Sequence, residues 1–212
     1  MQGLKIIRIF MSTENQILKL FPQPVFKYKV KSFETLNQEL LKFIYDLHKE
    51  DNVGLKKSNI NGWHSKSFDL NDLEGLPYKF LSQITDNIKD VFKHYGWVYD
   101  TNKVKCTSMW SIINKKGSFN IEHIHSNNYL SAAYYVKAPK ECGKFKALTP
   151  NIITRNFFPK SNGITELNAV TAKINVEEGD LLIFPAYLPH SVEENKSDDD
   201  RVIISFNIDV LK

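Results

Sequence analysis

The hydrophobic period of this chain changes once, near residue 97, and nothing else in the sequence constrains its fold as strongly. Beyond that point apolar residues follow the two-residue alternation of strands, and helical spacing does not return. Candidate strands cover 105–114, 119–125, 130–137, 144–148, 167–175, 180–184, 189–194 and 201–210. Turn-forming stretches separate them: NKKG, HSNN, APKECG, FPKSNG, EEGD and NKSDDD. Eight short strands in about 110 residues predict an antiparallel sandwich or jelly roll.

The first hundred residues read differently. Two prolines interrupt the alternating stretch LKLFPQPVFKYKV (18–30), which suits an edge strand or an extended arm rather than a central strand. Leu36, Leu40, Ile44 and Leu47 predict a helix over 35–48, with Thr35 and Gln38 in capping-box positions. The dipeptide and tryptophan NGW (61–63) mark a loop. A second helix over 77–95 has Pro77 in its first turn, Gly96 past its end and an apolar stripe of Phe80, Ile84, Ile88, Val91, Phe92 and Tyr95. Such a stripe packs on a sheet. The expected class is therefore mainly β with helical support (α+β), as one domain over 1–212. Residues 1–100 would form an arm and supporting helices, and residues 101–212 a β core.

Composition narrows the function classes. With 28 basic and 24 acidic residues the net charge is +4, too mild for a nucleic-acid or membrane footprint. Two cysteines, Cys106 and Cys142, supply neither a disulfide framework nor a thiolate metal site, and fit a reducing compartment. No apolar run reaches the roughly 18 residues of a membrane span. The opening MQGLKIIRIF lacks the features of a signal peptide, and Met11 is a candidate start. These features predict a cytoplasmic protein.

Of six histidines, His123 and His125 stand one residue apart in NIEHIHSNNYLSAAYYV (120–136). On a strand both would leave the same face, with Cα atoms about 6.6 Å apart. That spacing lets two imidazoles meet one ion, and it equally suits two polar residues on a wet face. His190, presented by the buried stretch EGDLLIFPAYLPH, is the candidate third ligand. Three imidazoles leave coordination positions open, as catalysis requires. His48, His64 and His94 fall on helices or in a loop and read as surface or capping residues.

The last strand, RVIISFNID, carries one apolar face of Val202, Ile204, Phe206 and Ile208. Its other face presents Arg201, Ile203, Ser205 and Asn207. If the apolar face lies under the helices, Arg201 points into the barrel, toward His190 on the neighbouring strand. An interior guanidinium is costly unless it meets an anion, and its fork suits a carboxylate. The alternative is a solvated cation beside the acidic run 198–200.

Taken in order, H-x-H, LSAAYYV, GKFKALTP and EGDLLIFPAYLPHSVEENKSDDDRVIISFN resemble the 2-oxoglutarate- and Fe(II)-dependent oxygenase superfamily. The chain is most similar to a branch with an H-x-H first motif and an LFPTPV-like opening, here LFPQPV (20–25), and more distantly to prolyl hydroxylases. The resemblance implies a double-stranded β-helix, with Fe(II) and 2-oxoglutarate as cofactors. His123 and His190 match the two iron-binding histidines. His125 stands where most members carry the carboxylate of a two-histidine, one-carboxylate triad. Arg201, eleven residues after His190, matches the basic residue that binds the far carboxylate of 2-oxoglutarate. Tyr135 and Asn114 are further candidates to hold that carboxylate. The activity implied is hydroxylation of an unidentified substrate using O₂, releasing succinate and CO₂.

Two other readings keep the same residues. One is a cupin-like three-histidine metalloenzyme that does not use the keto acid, and the other a non-catalytic jelly-roll binding module. The loop 153–163, with Phe157 and Phe158, could close over substrate or pack on the sheet. The edge strand near 18–30 leaves a homodimer possible.

Overall fold

The computed structural model describes residues 17, 19–100, 103–156 and 159–210. The candidate start at Met11 and the pair Phe157 and Phe158 lie outside the described residues. Among the described residues fourteen elements follow one another: β1 (Phe26–Lys29), α1 (Phe33–Glu50), β2 (Asn59–Ile60), β3 (Trp63–His64), α2 (Leu76–His94), β4 (Val104–Asn114), β5 (Phe119–His123), β6 (Leu130–Lys137), β7 (Phe145–Leu148), α3 (Ile152–Asn156), β8 (Thr171–Ile174), β9 (Asp180–Pro185), β10 (His190–Val192) and β11 (Arg201–Val210).

The strands form two antiparallel sheets, a jelly roll. One has the order β1-β9-β6-β11-β4-β3, the other β2-β5-β10-β7-β8. The N-terminal hundred residues do more than support this core. Strand β1 pairs with β9 at one edge of the larger sheet, β3 pairs with β4 at the other, and β2 extends the smaller sheet beside β5. The NGW stretch, expected as a loop, thus connects two short sheet strands. Two-residue strands carry too little alternation to be seen in a sequence.

Each face of β11 goes where its pattern points. Val202, Ile204, Phe206 and Ile208 join Leu40 and Ile44 of α1 and Phe80, Ile84 and Val91 of α2 in one buried layer. A polar clamp fixes α1 to the sheet: the Tyr134 hydroxyl donates to Asn37 Oδ1 (2.6 Å), and Asn37 Nδ2 donates to the Val136 carbonyl (2.8 Å). Tyr135, Ala133, Leu182, Phe184, Phe145 and Ile203 fill a second, smaller layer between the sheets.

Two sequence expectations need correction. The capping box at Thr35 and Gln38 does not form, because α1 starts at Phe33 after Ser32 in a left-handed conformation (φ 50°). The turn out of β1 sets that start. It presses Phe33 against Gly179 (φ +78°), where a Cβ would lie 2.4 Å from the Phe33 ring. The second correction concerns His190. Its strand β10 lies in the sheet opposite β11, so Arg201 and His190 stand on different sheets rather than on neighbouring strands of one sheet.

Candidate metal and anion site

Strand β5 ends at His123, whose Cα partner in β10 is His190. Cross-strand partners lie side by side, so pairing alone brings these two rings together. His125 arrives by another route. It lies beyond the end of β5, not on it, and its backbone N–H donates to the Ala186 carbonyl just after β9 (2.9 Å). The segment after His123 therefore leaves the smaller sheet and ties onto the larger one. The two histidines converge because the chain crosses the mouth of the sandwich, not because they share a strand face.

The result is compact. Ring centroids are 4.3 Å apart for His123 and His190, 5.1 Å for His123 and His125, and 5.2 Å for His125 and His190. One ligand nitrogen from each lies within 4.8 Å of the others. Nδ1 of His123 contacts the Ile121 carbonyl at 2.8 Å, and Nδ1 of His190 contacts the Leu188 carbonyl at 2.9 Å. A carbonyl only accepts, so each Nδ1 carries the proton and each Nε2 keeps a lone pair. That is the tautomer a metal needs, fixed before any ion arrives.

Burial favours the neutral form throughout. It lowers the His190 pKa to about 3 and the His125 pKa to about 4, with the neighbouring His123 adding to both. It also lowers that of His123. Glu122, beside this cluster in sequence, turns away and pairs with Arg155 of α3 at 2.7 Å.

Arg201 occupies the opposite sheet in register with Asn114. Its side chain is fully buried. Nη1 donates to the carbonyls of Cys142 and Glu193, whereas Nε and Nη2 have no partner. The Tyr135 hydroxyl and both polar side-chain atoms of Asn114 are likewise buried without partners. Gly62 packs closely on Asn114: a Cβ there would sit 3.0 Å from Asn114 Nδ2 and from the Ile113 carbonyl. Burial raises the Tyr135 pKa and lowers that of Arg201, while each group's charge opposes the shift of the other. An unpaired buried guanidinium beside orphaned donors is a costly arrangement unless an anion completes it.

A cavity of ≈ 520 Å³ opens from the three histidines between the sheets. Trp110, Ile112, Ile203 and Ser205 line it, as do all three histidines of the cluster. Arg201, Tyr135 and Asn114 do not line it. Arg201 and Asn114 lie two residues beyond Ile203 and Ile112 on the same strand faces, about 6.6 Å further along.

His64, expected at the surface, is a buried wall residue of this cavity. Its ring stacks on Trp110 (centroids 5.6 Å apart, 9° between planes), and Trp110 in turn contacts the His125 ring at 5.7 Å. The alternation of β4 could have flagged Trp110 as an interior residue, but β3 was too short to do the same for His64. His48 packs on Trp63, and His94 caps the Asp90 carbonyl of its own helix.

The chain is similar to known proteins in sequence pattern and in fold. Residues 108–207 match the sequence pattern of the family described as "Putative 2OG-Fe(II) oxygenase". The resemblance is to the 2OG-Fe(II) oxygenases. No curated protein matches the sequence. Among solved structures, a prolyl-4-hydroxylase from Pseudomonas putida shares the fold (TM-score 0.63, 10% identity, covering 90% of this chain and 94% of that one). So does a viral collagen prolyl hydroxylase from Paramecium bursaria Chlorella virus-1, in its 2OG complex (TM-score 0.57, 14% identity, 87% and 94% covered). HygX from Streptomyces hygroscopicus, with nickel and 2-oxoglutarate bound, also aligns (TM-score 0.58, 11% identity, 89% and 83% covered). At such identities the likeness to these oxygenase structures establishes the jelly-roll fold.

Proposed function

We propose that this chain is a 2-oxoglutarate- and Fe(II)-dependent dioxygenase that hydroxylates its substrate. The observation that carries the reading is the pairing of two unfinished sites on facing sheets. Three neutral imidazoles converge, the Nε2 lone pair of His123 meeting only the Ser58 hydroxyl at 3.4 Å, and a buried guanidinium in the opposite sheet has two unused donors. The donor set fits the cofactors. His123, His125 and His190 would hold Fe(II), leaving positions open. Arg201 and the Tyr135 hydroxyl would hold the far carboxylate of 2-oxoglutarate, with Asn114 as a further donor.

Bound there, the cofactors would supply the oxidative decarboxylation that yields succinate and CO₂ and inserts an oxygen atom into a C–H bond. The chain's own residues orient and exclude. The Ile121 and Leu188 carbonyls hold two imidazoles in place, and Trp110 packs against the third. Ile112, Ile203, Phe145 and Phe184 line the inner cavity with apolar surface, which keeps water away from the reacting centre.

The test is anaerobic. Protein reconstituted with Fe(II) should develop a weak visible charge-transfer band when 2-oxoglutarate is added. The band should be absent in His190→Ala. An iron-loaded protein with no band on adding the keto acid rejects the reading. It would favour the keto-acid-free metalloenzyme, which the all-imidazole donor set also suits.

A further inference from the structure

The cavity at the three histidines has a charge imbalance that neither the metal nor the keto acid removes. Among the described residues no aspartate or glutamate lines it. Carboxylates on the neighbouring strands are committed elsewhere, Glu122 to Arg155, Glu193 to Lys173 and Asp180 to Lys27 and Lys29. His125 supplies a neutral ligand where a carboxylate would have cancelled one unit of charge. With a divalent metal, the Arg201 guanidinium and a dianionic keto acid in place, the interior keeps one positive charge. Lys57 adds another, since it lines the cavity, is exposed, and has no ion-pair partner among the described residues.

Lys57 sits where its charge is felt inside. Burial lowers the His64 pKa, the Ser65 carbonyl opposes that, and the Lys57 ammonium lowers it further, so the ammonium lies within electrostatic reach of the wall formed by His64 and Trp110. The remaining outer surface is an apolar body with hydroxyl spots: Trp110 and Ile124, with Ser58 and Ser67. Such a wall accepts a flat apolar group, and an electropositive cleft concentrates anions.

We propose that Lys57 is a specificity-determining residue, and that the substrate is a small molecule carrying an anionic group, a carboxylate or phosphate, on an apolar body lying against Trp110. This deepens the oxygenase reading and rests on it for the placement of the keto acid.

The test uses three isosteric probes, 3-phenylpropionate, 3-phenylpropionamide and 3-phenylpropylamine, titrated calorimetrically into Ni(II)-loaded protein saturated with 2-oxoglutarate. The acid should bind about fivefold tighter than the amide, the size of a partly exposed charge pair. Lys57→Gln should narrow the gap between acid and amide, Lys57→Glu, which cancels the remaining charge, should close it, and the amine should gain at each step. Lys56→Gln, which alters an exposed lysine outside the cavity, should change nothing. Equal binding of acid and amide to the wild type, a preference undiminished in Lys57→Gln, or no binding of the acid at millimolar concentration overturns the proposal. Parallel titrations of Ni(II) and 2-oxoglutarate report separately on the oxygenase reading. If those cofactors fail to bind, the same three probes on the metal-free protein still decide the role of Lys57.

Discussion

Arg201 shows how much one side chain can reveal. A guanidinium buried to 0% exposure with two unpartnered donors is destabilising as it stands, so its retention points to a ligand that completes it. Arg201→Lys would keep the charge and lose the planar fork, which should weaken 2-oxoglutarate binding about tenfold, read by titrating the visible band. The histidines predict a graded response. His190→Ala removes one of the three imidazoles proposed to hold the metal and should cost at least about a hundredfold in Fe(II) affinity, since lost outer-shell support alone costs ten to a hundredfold. His125→Asp should retain Fe(II), because a carboxylate there restores the commoner donor set. Equilibrium dialysis distinguishes the two outcomes.

At the scale of elements, the edge of the larger sheet depends on one acid. Asp180 at the start of β9 is buried and takes ion pairs from Lys27 (2.9 Å) and Lys29 (2.8 Å) of β1. Burial would raise its pKa, yet the two ammonium groups and the Glu177 N–H hold it below the ordinary carboxylate value. A depressed carboxyl contributes stability that is present above its unfolded pKa and lost as pH falls through the folded value. Asp180→Asn should therefore cost about 2 kcal/mol at neutral pH and remove the part of the acid-limb decline that falls below pH ~4. Urea titrations at pH 7 and pH 3 measure both. Much of this layer was legible beforehand. The stripes of α1 and α2 and the alternation of β4 and β11 appear where their periods place them, because each buries a face long enough to repeat its pattern, whereas β6 is buried on both faces. The start of α1 was not legible, since a turn packed on Gly179 overrides local capping preference.

For the whole molecule, four buried or part-buried imidazoles, those of His64, His123, His125 and His190, are held neutral by burial. Their folded pKa values lie below the unfolded value of 6.5. The unfolded chain therefore takes up protons first as pH drops, and stability, complete above pH ~6.5, declines toward pH ~4. Metal-free protein should follow that course in urea titrations, and His190→Phe should flatten it. Metal acts on the same equilibrium. Ni(II) at about a hundred times its dissociation constant should add about 2.7 kcal/mol, a rise of roughly 5–10 °C in Tm. An unmoved Tm would show that the cluster does not bind metal in the folded state.

The sequence alone determined the layers: two amphipathic helices, a strand-period core, and a last strand with one apolar and one polar face. These follow from periodicities written over ten or more residues, which any buried surface must repeat. It also supplied the candidate residues His123, His125, His190 and Arg201, because their types suit a metal and an anion. Only the tertiary structure decided how they meet. His125 joins His123 after leaving its strand, His190 reaches Arg201's side of the problem from the opposite sheet, and His64 and Lys57 enter the cavity wall from segments too short or too irregular to carry a pattern. Those positions depend on contacts between distant segments, and the crossing of two sheets leaves no local period in the chain that forms them.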